Sequence, residues 1–250
     1  MASRAPDRVQ LCGALVVERD GRRWEDRLPG RQGRLLFAYL AINRHRACTR
    51  GELTHALWGD RVPPAGDAAL TVLVSKLRRG LGPEAIDGRT SLRLVLGADA
   101  WVDVEVAGKA VHKAESRVAL GDWPHAWGPA LAALFITERL FLPDDGSDWI
   151  DERRAELDEV HLRALEAYVA AALGTGGTES AAAVRAGRRL VRLAPLREHG
   201  YQLLMRALAA QGNVAEALQV HARLSRLLRD ELGVSPSAAT RAVHETLLHD

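Results

Sequence analysis

The sequence predicts a mainly α protein in two parts, a mixed α+β domain over residues 1–104 followed by an all-helical repeat domain over 105–250. Strand-like segments occur only before Val106, and after it Ala and Leu recur at helical spacing to the end of the chain. The charge divides at the same place: residues 1–104 carry 17 Lys/Arg against 12 Asp/Glu, and residues 105–250 carry 17 against 20. A chain of 250 residues with 47% hydrophobic content can bury two cores, and a basic surplus confined to the front suits a front half that meets a polyanion.

In the front half, Val9–Glu18 mixes β-branched and small apolar residues, Asp20–Gly21 supplies a turn, and Arg22–Leu28 reads as the returning strand. Gly30 and Gln32 lead into a largely buried helix over Arg34–Asn43. Thr49 with Glu52 forms a capping box for a second helix, Gly51–Trp58, which stops before Gly59–Asp60 and Pro63–Pro64. A third helix runs from Gly66 or Asp67 to Arg79 and is ended by Gly80, Gly82 and Pro83. Extended segments at Ser91–Leu96 and Ala100–Val104 are expected to pair as a terminal hairpin. Strands, three helices and a closing hairpin are the layout of a winged helix.

Beyond Val106 the expected helices are Ala107–Leu120, Trp123–Phe135, Ile150–Leu173, Ser180–Leu193, Arg197–Ala210, Val214–Leu232 and Pro236–Leu248. The helix ends at Gly174 and Gly212 stand 38 residues apart, close to the roughly 34-residue period of tetratricopeptide repeats. Each helix pair is expected to bury one face on the next.

The third helix carries the main functional signal. At about 100° per residue, Leu70, Val74 and Leu77 share one side with Leu73 at its edge, while Val72, Ser75, Lys76 and Arg79 point away. In a major groove, Lys76 and Arg79 can donate to guanine edges or phosphates, Ser75 can pair with either, and Val72 can meet a thymine methyl. Thr71 and Arg78 flank this face at phosphate height. Read alone, the helix is equally an amphipathic surface helix with a solvated basic side. Arg89, Thr90 and Arg93 fall at the wing, Arg44, His45 and Arg46 cluster after the first helix, and Thr49 opens the second. Together they would form one electrostatic footprint. Trp58 is expected to pack under the helices, with its indole N–H able to reach a phosphate.

Other chemistries find little in the sequence. The Gly174–Gly177 run lacks the Lys-Ser/Thr of a phosphate loop, and Asp144, Asp145 and Asp148 lack the later Glu of a calcium loop, leaving a solvated acidic loop as their reading. The nine histidines form no metal-binding pair spacing, and Cys12 and Cys48 match neither a zinc pattern nor a disulfide framework. The expectation is a non-enzyme without cofactor or metal, placed in a reducing cytoplasm, since the longest apolar run, Leu35–Ile42, falls short of the roughly 20 residues of a membrane span. The rival reading is a protein-interaction adaptor whose winged helix does not bind DNA.

The segments Glu52–Asp60, Pro63–Pro64 and Ala69–Arg79 resemble the OmpR-like DNA-binding domain of the SARP family of actinobacterial antibiotic-regulatory activators. The runs Ala194–Glu198, Leu204–Leu208, Gly212–Leu218 and Asp230–Pro236 resemble that family's bacterial transcriptional activation domain. The resemblance implies a cytoplasmic activator of secondary-metabolite or other pathway genes. It would bind repeats in double-stranded promoter DNA as a homodimer or as two protomers side by side, and contact RNA polymerase. It also implies that the third helix is the recognition helix and Arg89–Arg93 the wing.

Overall fold

The computed structural model of the chain describes residues 6–249 and divides into two compact units, one running through Val106 and regaining Arg139–Leu157, the other made of Ala107–Glu138 and the chain from Asp158 onward. The first unit contains, in chain order, β1 (Arg8–Gln10), β2 (Val16–Arg19), β3 (Arg22–Arg23), α1 (Gly30–Ile42), β4 (Cys48–Thr49), α2 (Arg50–Trp58), α3 (Gly66–Leu81), β5 (Ile86–Asp87), β6 (Ser91–Leu94) and β7 (Trp101–Val102). One sheet has the order β3-β2-β1-β7 and the other β4-β6-β5.

The front strands are shorter than their composition suggests. Where one strand was expected over Val9–Glu18, the chain reverses after Gln10 and β1 pairs antiparallel with β2, Gln10 opposite Val16, while the amides of Leu11 and Cys12 in the connection donate to the buried carboxylate of Asp103, at 2.9 and 2.8 Å. The return strand is only β3, followed by a 3-10 turn over Glu25–Arg27.

The terminal hairpin also differs. Ala100–Val104 does not pair with Ser91–Leu96. Instead β6 pairs antiparallel with β5 and β4, Ile86 opposite Leu94 and Cys48 opposite Leu92, while β7 runs parallel to β1 with Val102 opposite Val9. The chain is drawn across by polar ties at both ends of the crossing: buried Asp7 accepts from the Gly97 amide at 2.9 Å and Asp103 accepts from the Leu11 amide just after β1. The wing is therefore the β5–β6 hairpin.

Residues 139–157, expected within the helical domain, group with the first unit. Leu142 donates its amide to the Leu11 carbonyl and Gly13 donates to that of Leu140, so this strap adds a short antiparallel bridge at Cys12 and Phe141. Trp149 donates its indole N–H to the Ala56 carbonyl at 3.0 Å and sets its ring edge-on to Tyr39 and Phe141. Asp145, expected in a solvated acidic loop, pairs with Arg31 at 2.5 Å. Arg154 donates to the carbonyls of Phe141, Leu142 and Asp145, satisfying backbone that a loop alone would leave open.

The helices from Asp103 onward are α4 (Asp103–Ala119), α5 (Trp123–Thr137), α6 (Asp148–Thr175), α7 (Ser180–Leu193), α8 (Glu198–Ala210), α9 (Val214–Leu232) and α10 (Ala238–His249). They match the expected spans closely, because long periodic segments with Gly/Pro breaks are locally well specified. In the second unit, small side chains set the packing: Ala114 and Val111 of α4 meet Ala130 and Ala133 of α5 and Ala164 and Ala167 of α6. α7 packs on α8 and α8 on α9. Gly187 of α7 lies where a Cβ would make a tight 3.3 Å contact with the Leu204 backbone, and Gly200 of α8 where one would stand 2.9 Å from Leu190, too close to fit without a shift, so glycine lets these two helices approach. α10 is held by the Glu198 carboxylate, which accepts from the Ser237 amide at 2.9 Å and from the hydroxyls of Ser237 and Thr240.

Two histidines of this unit titrate low. Burial holds His161 below the ordinary imidazole value of 6.5, and burial together with the neighbouring His244 does the same for His221, whose ring stacks on that of His244 at 3.9 Å. A base with a depressed folded pKa takes up its proton first in the unfolded chain, so stability is present above pH 6.5 and is lost as pH falls through the folded values. Thermal unfolding followed by circular dichroism should accordingly show a falling midpoint between about pH 7 and about pH 5. A His221→Phe variant should show a shallower fall; an unchanged slope would refute the assignment.

Candidate nucleic-acid interface

α3 is placed by its own periodicity: Leu70 and Leu77 are fully buried and Val74 and Leu81 nearly so, which leaves Thr71, Val72, Ser75, Lys76 and Arg79 exposed on the opposite side. Val72 is 51% exposed, an apolar side chain presented to solvent in the middle of a polar, basic face. Lys76 and Arg79 form no hydrogen bond or ion pair among the described residues. Both cations are available to a ligand. The far end of α3 is capped by Arg19, which donates to the Leu81 carbonyl at 2.7 Å.

The wing turn carries Gly88, Arg89 and Thr90, all exposed. Gly88 has φ +92°, and a Cβ there would collide with the Ser91 carbonyl, so this turn requires glycine. Arg93 on β6 faces Asp87 across the hairpin at 3.3 Å.

Several residues expected at the interface are committed elsewhere. Arg78, expected at phosphate height, donates instead to the carbonyls of Ile86 at 3.0 Å and Gly88 at 2.6 Å, and so ties the wing to α3. Arg44 forks onto Glu105 at 2.6 and 2.9 Å with its side chain 11% exposed. Burial by itself would raise Glu105, but the hydrogen bonds and charge of Arg44, with His45 beside it, hold this carboxyl below the ordinary range. Arg46 forks onto Glu52, and that hydrogen-bonded pairing dominates in lowering the Glu52 pKa. Glu52 in turn accepts from the Tyr39 hydroxyl and closes the capping box with Thr49, whose hydroxyl oxygen accepts from the Glu52 amide. Thr49 thus serves α2 first. Trp58 is half-buried beside a cleft of about 600 Å³ lined also by Tyr39, His55 and Trp149.

Arg50, which sequence reasoning passed over, joins these parts. Its guanidinium donates to the Asp67 side chain at 2.5 Å, the Asp67 carbonyl at 3.0 Å, the Thr71 hydroxyl at 2.7 Å and the Arg89 carbonyl at 3.4 Å. One side chain therefore links the start of α2, the start of α3 and the wing turn. A signal was present: an arginine in the first turn of a helix opposes the helix dipole and calls for a tertiary partner. Arg50→Ala and Arg78→Ala should each speed amide exchange in residues 86–94, and Arg79→Ala should not. Equal protection in all three proteins would remove the tethering role.

Residues 102–248 match the bacterial transcriptional activator domain family, and residues 27–92 match the family described as transcriptional regulatory protein, C terminal. The regulatory protein AfsR of Streptomyces coelicolor is 33% identical, over 96% of this chain and 24% of AfsR. The transcriptional regulator RedD of the same organism is 30% identical, over 86% of this chain and 63% of RedD. The solved structure of Mycobacterium tuberculosis EmbR in complex with a low-affinity phosphopeptide aligns at a TM-score of 0.81 and 25% identity, over 98% of this chain and 65% of that one. The chain spans about a quarter of the length of AfsR and less than two thirds of RedD and EmbR. A winged-helix front with two adjoining family matches, in this order and over nearly the whole chain, makes it a member of the SARP family of bacterial transcriptional regulators.

Proposed function

We propose that this regulator binds double-stranded promoter DNA by laying the outer face of α3 in a major groove, with the β5–β6 wing over the adjoining backbone. It then activates transcription through contact between its helical part and RNA polymerase. The observation that carries the reading is the exposed stripe Val72, Ser75, Lys76 and Arg79, held in fixed register with Arg89 and Thr90 by the guanidinium groups of Arg50 and Arg78. Lys76 and Arg79 reach base edges or phosphates, Ser75 adds a hydrogen bond, Val72 meets a thymine methyl, and Arg89 and Thr90 approach phosphates or the neighbouring groove. Arg93 and Arg46 are half exposed at the rim, each with its charge met by a carboxylate, Asp87 or Glu52. Arg78, Arg44 and Thr49 act behind this surface by fixing backbone and helix ends, and Thr71, exposed at its edge, receives the Arg50 guanidinium. Residues 1–104 with the strap 139–157 would be the DNA-binding part and the rest of 105–250 the activating part, two protomers lying side by side on repeated sites.

An electrophoretic shift on upstream fragments, at two salt concentrations with excess competitor, tests the binding. A shift that survives competition and weakens with salt is expected, because neutralised phosphates release counterions. Lys76→Ala and Arg79→Ala should each lose about 1–3 kcal/mol of specific binding where the side chain reads a base, and less where it touches phosphate. Leu77→Ala serves as the contrast, costing roughly 2–5 kcal/mol of stability through a cavity. Wild-type affinity in both surface variants would sink the groove assignment, and no shift from folded protein would favour an adaptor. Activation is read by adding the chain to a purified polymerase on a footprinted promoter; transcript yield should rise.

A further inference from the structure

α5 is unlike the other helices of its unit. From Trp123 to Thr137 it contains no Asp, Glu, Lys or Arg, and His125 is its one titratable side chain. Ala126, Ala130, Ala133 and Ile136 are buried, yet the other side is apolar too: Leu131 is 43% and Phe135 77% exposed. A helix that is hydrophobic all round is normally covered on all sides.

The exposed side borders a concavity of about 310 Å³. Its floor includes Leu134 and Leu165, its α5 wall is Leu131 and Phe135, and its α7 wall is Arg185 and Arg189. A second concavity of about 290 Å³ shares Glu138 and Arg189 and continues past Thr137 and His161 to Leu193. α7 supplies four arginines and no acid. Arg188 is paired with Glu216 at 2.5 Å and Arg189 with Glu138 at 2.8 Å, but Arg185 has no hydrogen bond or ion pair among the described residues. The result is a groove with an uncharged apolar wall and a cationic wall; of its acids, Glu138 is paired with Arg189 and Asp158 lines only the second concavity.

We infer that this groove is a docking site for an acidic amphipathic helix of a partner protein, its apolar stripe against Leu131 and Phe135 and a flanking carboxylate on Arg185. Charge complementarity selects this occupant over a second copy of the chain. A copy packing through its own α5 would bring apolar surface but no carboxylate from that helix, and would leave the Arg185 guanidinium unpaired beside a closed interface. An acidic flank satisfies both walls at once. The docking site stands on the α5–α7 surface alone and does not depend on DNA binding by α3.

The test uses the full chain and two fluorescein-labelled helical peptides of about four turns, identical in a Leu/Phe stripe and carrying either Glu or Lys along its flank. Fluorescence anisotropy should show the Glu peptide bound and the Lys peptide bound about tenfold more weakly or worse. Phe135→Ser should weaken the Glu peptide about tenfold, and Arg185→Glu should reverse the preference between the two. Both substitutions lie on the surface, so unchanged thermal unfolding is expected to accompany them. Equal affinity for the two peptides, wild-type affinity in either variant, or no binding by the wild-type chain would overturn the proposal. So would sedimentation showing a concentration-dependent dimer that Phe135→Ser abolishes, since the groove would then be filled by a second copy.

Discussion

The first unit depends on one buried carboxylate. Asp103 is fully inaccessible to solvent and accepts hydrogen bonds from the amides of Leu11, Cys12 and Val104. Burial raises its pKa even though these amides and the nearby Arg139 favour the charged form, so the group is costly to bury and is retained where it satisfies three backbone donors. It takes up the two amides that follow β1, anchors the parallel pairing of β7 with β1 and stands at the start of α4, where a negative charge suits the helix dipole. Everything between Leu11 and Asp103, the three helices and the wing included, is bracketed by this tie.

Within that bracket, the candidate interface depends on a division of labour among arginines. Arg50, Arg78 and Arg44 use their forked donors on protein carbonyls and carboxylates, which turns loop and hairpin backbone into a fixed frame. Lys76, Arg79 and Arg89 project from that frame. A recognition surface needs both kinds, because a cation that is already satisfied positions but does not bind, and one on a mobile turn binds without register. In the helical unit the same economy appears in glycine and alanine: Gly187, Gly200 and the alanines of α4, α5 and α6 let helices approach, while the bulkier Leu131 and Phe135 of α5 stay outside.

The helices were legible because their signals are local. The period of Leu70, Val74 and Leu77, the capping box at Thr49 and Glu52, and the glycines closing each repeat helix act within one or two turns of chain. The exposed face of α3 followed directly, since burying one side of an amphipathic helix presents the other. Pairing of short strands was less legible. Two-residue strands such as β5 and β7 carry almost no period, and whether Trp101–Val102 joined the wing or the front sheet rested on Asp7 and Asp103, whose partners lie about ninety residues away in the chain.

By itself, then, the sequence determined the two-part mainly α architecture, the span of nearly every long helix and which face of α3 meets solvent, because those follow from apolar spacing and helix-end chemistry. Tertiary structure alone decided which cations are free. The helical period set Arg79 outward and Arg78 at the flank, both within reach of DNA; only the carbonyls of Ile86 and Gly88, and for Arg44 in the turn after α1 the carboxylate of Glu105, show which arginines hold the frame. It likewise decided that the strap around Phe141 and Trp149 completes the first unit, since an aromatic side chain carries no local record of the distant ring and carbonyl against which it will pack.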